Sequence, residues 1–117
     1  MNIKELNQKY NFHDSCITSI NYYKNYKKLE IILEFCNWMQ IWFKQGEPEL
    51  QNLKLVFYGI SKYKGLNGNI DYFSISNAEI KNNEYILLIE DDFNNEFYQI
   101  SLSPVKIEVE IMEIIND

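Results

Sequence analysis

The chain contains no arginine: all 11 basic residues are lysine, against 17 acids, for a net charge of −6. Without a guanidinium fork, no carboxylate or phosphate can be clamped bidentately, which excludes arginine-finger chemistry and arginine-based base readout. The acidic balance also argues against a phosphate-backbone binder, so no nucleic-acid partner is expected. There is a single histidine, His13, and two cysteines, Cys16 and Cys36, with no CxxC pair. Zinc needs three or four ligands, usually in spaced pairs, so neither a metal nor another cofactor is expected. Four glycines cannot build a phosphate cradle, and the nucleophile-elbow, P-loop, Rossmann and H-E-x-x-H patterns do not occur. The apolar runs fall far short of the roughly 20 residues a bilayer crossing needs, so no membrane partner is expected. The first residues, MNIKELNQKY, are polar and carry no leader-like apolar segment. Together with the low cysteine count, this gives the expectation of a bacterial cytoplasmic protein with both thiols reduced.

What is present is a core. Of 117 residues, 46% are hydrophobic and 15% aromatic, with 24% charged. That suits one domain spanning 1–117. Residues 2–10 read as one short helix: Ile3, Leu6 and Tyr10 share a face, Asn2 is placed as N-cap, and Glu5 completes a capping box. After Ser15 the hydrophobic period changes to 2. Strands are expected over 17–23, 28–35, 38–43, 53–58, 70–75, 85–90, 96–102 and 105–111. Asn67-Gly68, between the 53–58 and 70–75 strands, carries the strongest hairpin signal, Asn82-Asn83 and Asn94-Asn95 are expected turns, and Pro48 and Pro104 mark boundaries. In the last strand, Val105, Ile107, Val109 and Ile111 are expected to point inward. The expectation is therefore mainly β: an antiparallel β-sandwich or flattened barrel of about eight strands over 17–115, with one short N-terminal helix.

Candidate site residues are few. His13 and Asp14 lie in Phe12-His13-Asp14-Ser15, at the junction between the helix and the first strand. A catalytic Cys–His pair would need an orienting third group and an oxyanion hole, and no spacing supplies them. Asp14 and Ser15 are instead expected to bond local backbone N–H groups, with His13 and Asp14 available for surface binding. Trp38, Gln40 and Trp42 share one face of the expected 38–43 strand. A central position makes them core; an edge position makes them an exposed strip that anchors a protein or stacks a sugar. The acids and amides from Glu90 to Glu96 do not match the calcium-loop spacing and read as an Asx-rich turn. Glu30 with Glu34, and Glu108 with Glu110, read as solubilising charges on strands.

The stretch from Phe12 to Ile20 (FHDSCITSI), followed by a Tyr-rich hairpin and Leu29 to Phe35, resembles small bacterial proteins that share an F-H-D-S/A-x-I start and a β-rich remainder. Some of these look like immunity proteins of toxin competition systems. The resemblance covers the first third of the chain and transfers no catalytic residues. It implies a non-enzymatic protein-interaction module, and the acidic charge suits a basic protein partner. The alternative is a β-barrel or sandwich binding a sugar or a small apolar molecule.

Overall fold

The computed structural model describes residues 1–115. It is mainly β, one eight-stranded antiparallel sheet folded over on itself as a flattened barrel that does not close. The elements are helix α1 (Ile3–Lys9), then β1 (Cys16–Tyr23), β2 (Lys28–Cys36), β3 (Leu50–Tyr58) and β4 (Tyr63–Lys64). They continue with β5 (Gly68–Lys81), β6 (Glu84–Asp91), β7 (Glu96–Leu102) and β8 (Lys106–Ile115). The order across the sheet is β4-β7-β6-β5-β1-β2-β3-β8.

Two corners fold the sheet. The first half of β5 pairs with β1, from Gly68 opposite Ile20 to Ser74 opposite Cys16. Its second half pairs with β6, and its register shifts between Ile75 and Asn77. Such a shift bends a strand, so β5 passes from one layer to the other. At the second corner, the chain leaving β3 runs beside the chain entering β8. Val105 N donates to Tyr58 O (2.8 Å), Ser61 N to Ser103 O (3.1 Å) and Ser103 N to Lys62 O (3.0 Å). Gly59 is required here: its φ is +65°, and a Cβ would sit 2.9 Å from Val105 Cγ2.

The inner faces meet in one core. Ile17, Ile20, Leu29, Ile31, Leu33, Phe57, Leu87, Ile89 and Ile100 are all buried there. The rings of Phe57 on β3 and Tyr85 on β6 lie 6.3 Å apart, so the two layers are in direct contact. Helix α1 has the anticipated capping box, with Asn2 Oδ1 accepting from Glu5 N (2.9 Å) and Glu5 Oε1 from Asn2 N (3.1 Å). A helix this short is marginal alone. It is held by Leu6, which is fully buried in the core. Asn82 and Asn83, at φ 54° and 61°, form the expected two-residue turn between β5 and β6.

Three expectations are corrected. Residues 38–43 are not a strand: β2 ends at Cys36, and Asn37–Met39 form a 3-10 turn. Asn37 Nδ2 donates to Pro48 O (3.1 Å) and Trp38 N to Glu49 O (3.3 Å), which folds the segment onto its own loop instead of onto a neighbouring strand. Asn67-Gly68 does not join the 53–58 and 70–75 strands as a hairpin: β3 pairs with β2 and β8, and the unanticipated short β4 pairs with β7, Tyr63 opposite Leu102. Asn67 Oδ1 instead accepts from Tyr22 N (3.0 Å), so the Asn serves the top of β1. In β8, Ile107 is buried and Val109 half-buried, as expected. Val105 and Ile111 are exposed, at 77% and 69%. Val105 lies in the corner before the strand; Ile111 pairs with the buried Leu53 on one side, and its other side is a sheet edge.

Candidate functional site

The junction between α1 and β1 is fixed from both sides. Asp14 stands at φ 66°, a left-handed conformation that Asp tolerates better than most residues. Its N–H donates to Ile75 O (2.9 Å), and Ile75 N donates to Ser15 O (2.8 Å). Ser15 is fully buried, and its Oγ accepts from Cys36 N (3.1 Å). Ser15 therefore satisfies a backbone donor at the end of β2, not a local one as expected. The Asp14 carboxylate faces the His13 ring (Nδ1 to Oδ2, 3.3 Å), and both side chains are about half exposed. Phe12, just before them, is buried against Phe35 (5.6 Å) and stacked on Tyr10 (5.8 Å).

Both thiols lie at this junction. Cys36 Sγ is 3.4 Å from Asp14 O and Cys16 Sγ 3.8 Å from the same oxygen. Burial pushes both thiols up, helped by the charges of Glu34 and Asp14; bonds from Ser15 and Trp38 offset part of this at Cys36. A thiol held protonated is a poor nucleophile. His13 is paired to Asp14, and no contact aligns it with either sulfur. The pieces of a Cys–His centre are thus near one another without the geometry of one.

Gln40 joins this junction to the 37–43 segment. Its Oε1 accepts from Asn11 N (2.9 Å), while Nε2 donates to Asn11 O (2.7 Å) and Cys36 O (2.9 Å). With the side chain 6% exposed and both Nε2 protons used, Gln40 is a clamp and not a ligand-facing group. The clamp leaves its neighbours outside. Trp38 is 47% exposed, Ile41 100% and Trp42 42%. Trp42 stands edge-on to Tyr10 (5.7 Å), which ties it to the aromatic cluster beneath. Of the five residues expected at a site, His13, Asp14, Trp38 and Trp42 present surface at one end of the barrel, and Gln40 organises that surface from below. Ile41 and Tyr10 belong to the same end and were not anticipated. A strand reading turned Ile41 toward the opposite face from the two tryptophans, and only a loop can present all three.

Two hollows flank this segment. A cleft of about 450 Å³ opens between the end of α1 and the loop, lined by Gln8, Asn11, His13, Gln40, Ile41 and Asn77 among others. A groove of about 180 Å³ lies on the other side, walled by Tyr10, Phe35, Trp42, Leu53, Val109 and Ile111. It continues into a hollow of about 260 Å³ beside Glu47 and Pro48.

Of the other acidic candidates, Asp91, Glu30 and Glu108 are held by structural partners. Asp91 Oδ1 accepts from Phe93 N and Asn94 N (3.2 and 3.3 Å), which makes the 91–95 segment the expected Asx turn. Glu30 is bridged by Lys28 and Lys54 (both 3.5 Å), and Glu108 by Lys106 (3.0 Å). The bond and charge of Lys106 hold the Glu108 carboxyl below its ordinary range. Among the described residues, no group of three or more His, Cys, Asp or Glu is arranged to hold a metal ion. No protein-family model, curated protein or solved structure matches the chain.

Proposed function

We propose that this chain is a non-enzymatic protein-interaction module, immunity-like in character, that holds a basic protein partner against its aromatic end. The observation that supports the reading is Ile41, fully exposed between two half-exposed tryptophans on a segment pinned by the buried Gln40. Exposed aromatic and aliphatic groups on a rigid support are what binding hot spots are made of, since little conformational entropy is lost when they are covered. Leaving such a patch in water would otherwise favour aggregation. The net charge of −6 would steer a basic partner and make its association salt-sensitive. The reading takes the protein as bacterial and cytoplasmic, with its thiols reduced. Carriage of a small ligand is less well supported: the interior is filled by contacting side chains such as Phe57 and Tyr85, and the larger cleft mixes amides with apolar groups such as Met39 and Ile41 instead of presenting a mainly apolar wall.

The test compares tagged wild type with Ile41→Asp and Trp38→Ala in capture from the source organism's lysate. Ile41 is fully exposed, so Ile41→Asp should melt with the wild type; a melt checks that Trp38→Ala, which loses a half-buried ring and its bond to Cys36, stays folded at the capture temperature. The expected result is one protein retained by wild type at low salt and lost from both variants. Equal retention by all three would refute the reading.

A further inference from the structure

We infer that the open edge of β8 beyond Ile107, with the Trp42 groove beside it, takes an extended segment of a basic partner as an added β-strand; this rests on the interaction reading above. β8 is the last strand of the sheet, so among the described residues one side of its backbone has no neighbouring strand. At Ile107 that side already accepts an extended chain: Ile107 N donates to Met1 O (2.7 Å), and the Met1 amino group donates to Ile107 O (2.9 Å). Residues two apart in an antiparallel ladder turn their N–H and C=O to the same side. Val109 and Ile111 therefore repeat the direction of Ile107, farther down the strand than Met1 reaches. Proteins commonly blunt such edges with lysine or proline. From Ile107 to Met112 the strand has neither; its charges, Glu108 and Glu110, are both acidic and so guard the edge least against a basic segment.

The side chains beside this edge are shaped for the same guest. Alternate residues of an added strand fall on the face of Val109 and Ile111. On that face lies the groove between Tyr10, Phe35, Trp42 and Leu53. Those alternate residues should be apolar and branched or aromatic. The residues between them meet Glu110, whose side chain is 57% exposed and 3.8 Å from Lys54, and the exposed Glu47 lies at the far mouth of the groove. These acids select lysine or arginine in the intervening positions. A second copy of the chain is the poorer occupant, because antiparallel self-pairing centred on Val109 sets Glu108 against Glu110.

The probe is a short synthetic peptide alternating valine with lysine, titrated into ¹⁵N-labelled full-length protein. The expected result is shifts at Val109 and Ile111, with slowed amide exchange at Ile111. Binding should weaken by about tenfold or more with Ile111→Asp, and should also weaken as salt rises. The same peptide N-methylated on alternate residues, so that it cannot donate to an edge, should not bind. The inference is overturned if shifts are confined to residues 37–43, if the N-methylated peptide binds as well, or if millimolar peptide shifts nothing. The two readings separate in lysate capture. A partner lost with Ile41→Asp but retained by Ile111→Asp leaves the interaction reading standing and removes the edge. Peptide bound at β8 with no partner captured does the reverse.

Discussion

Removing the Gln40 amide should cost more than truncating any exposed side chain of the aromatic end. Gln40→Ala deletes three hydrogen bonds, to Asn11 N, Asn11 O and Cys36 O, at 2.9, 2.7 and 2.9 Å. Each is worth about 0.5–1.5 kcal/mol net, and more where water cannot reach the group left behind. The sum is about 2–4 kcal/mol, or a fall of about 10 °C in the melting midpoint for a domain of this size. Gln40→Glu gives a sharper reading. One carboxylate oxygen still accepts from Asn11 N, but the other replaces Nε2 and faces two carbonyl oxygens. Only the protonated acid can donate there, so its folded pKa must rise above the ordinary value of about 4.3. A raised acid contributes stability below its unfolded pKa and loses it as pH climbs through the folded value. The deficit of Gln40→Glu against wild type should therefore be small near pH 4 and widest at neutral pH. Thermal melts of the three proteins across that range measure it. The clamp is wrong if Gln40→Ala melts within a degree or two of wild type, or if the Gln40→Glu deficit is independent of pH.

Tyr85 is buried, and its hydroxyl has no hydrogen-bond partner among the described residues. Tyr85→Phe should raise stability at neutral pH by about 1 kcal/mol, seen in chemical denaturation; a loss would show that a partner exists. Burial also pushes the Tyr85 phenol up, and Tyr63 up to about 12. Neither phenol affects the pH dependence of stability below the free value of about 10; above it the unfolded chain ionises first, and stability falls as pH rises toward the folded values. Wild type should destabilise above that point, and Tyr85→Phe less steeply. In β8, Ile107→Ala should cost about 2–5 kcal/mol because Ile107 is buried. Val105→Ala and Ile111→Ala should stay within about 0.5 kcal/mol, and equal costs at all three would contradict the exposure pattern. Melting midpoints with and without reductant should coincide, since both cysteines are free. Both thiols should alkylate more slowly than glutathione at neutral pH, because burial holds them protonated. Asn83→Gly should leave the melt unchanged or raise it, whereas Asn83→Val should lower stability by about 1–2 kcal/mol, because φ is +61° there.

Local signals in the sequence were sufficient wherever the physics is local. The capping box of Asn2 and Glu5, the Asn82-Asn83 turn, the Asp91 turn and the period-2 pattern of β2, β3, β6 and β7 all depend on residues within a few positions of one another. They appear in the fold as read, and so does the mainly-β class. Where the deciding contact is distant, the same signals misled. Residues 38–43 alternate well enough for a strand, yet a strand also needs a neighbour to pair with. Pro48, Glu49 and the Gln40 bonds to Asn11 took that segment into a loop instead. Asn67-Gly68 has hairpin chemistry, but β4 found its partner in β7 across the sheet. Ile111 has the same alternation as Ile107 on the same edge strand, but Met1 covers the edge at Ile107 and does not reach Ile111. Which cysteines and carboxylates meet, which tryptophan faces water and which strand is left at the edge all follow from the two corners that fold the sheet. Those corners bring together residues far apart in the chain, and hydrophobic periodicity contains no record of what lies on the other side of the core.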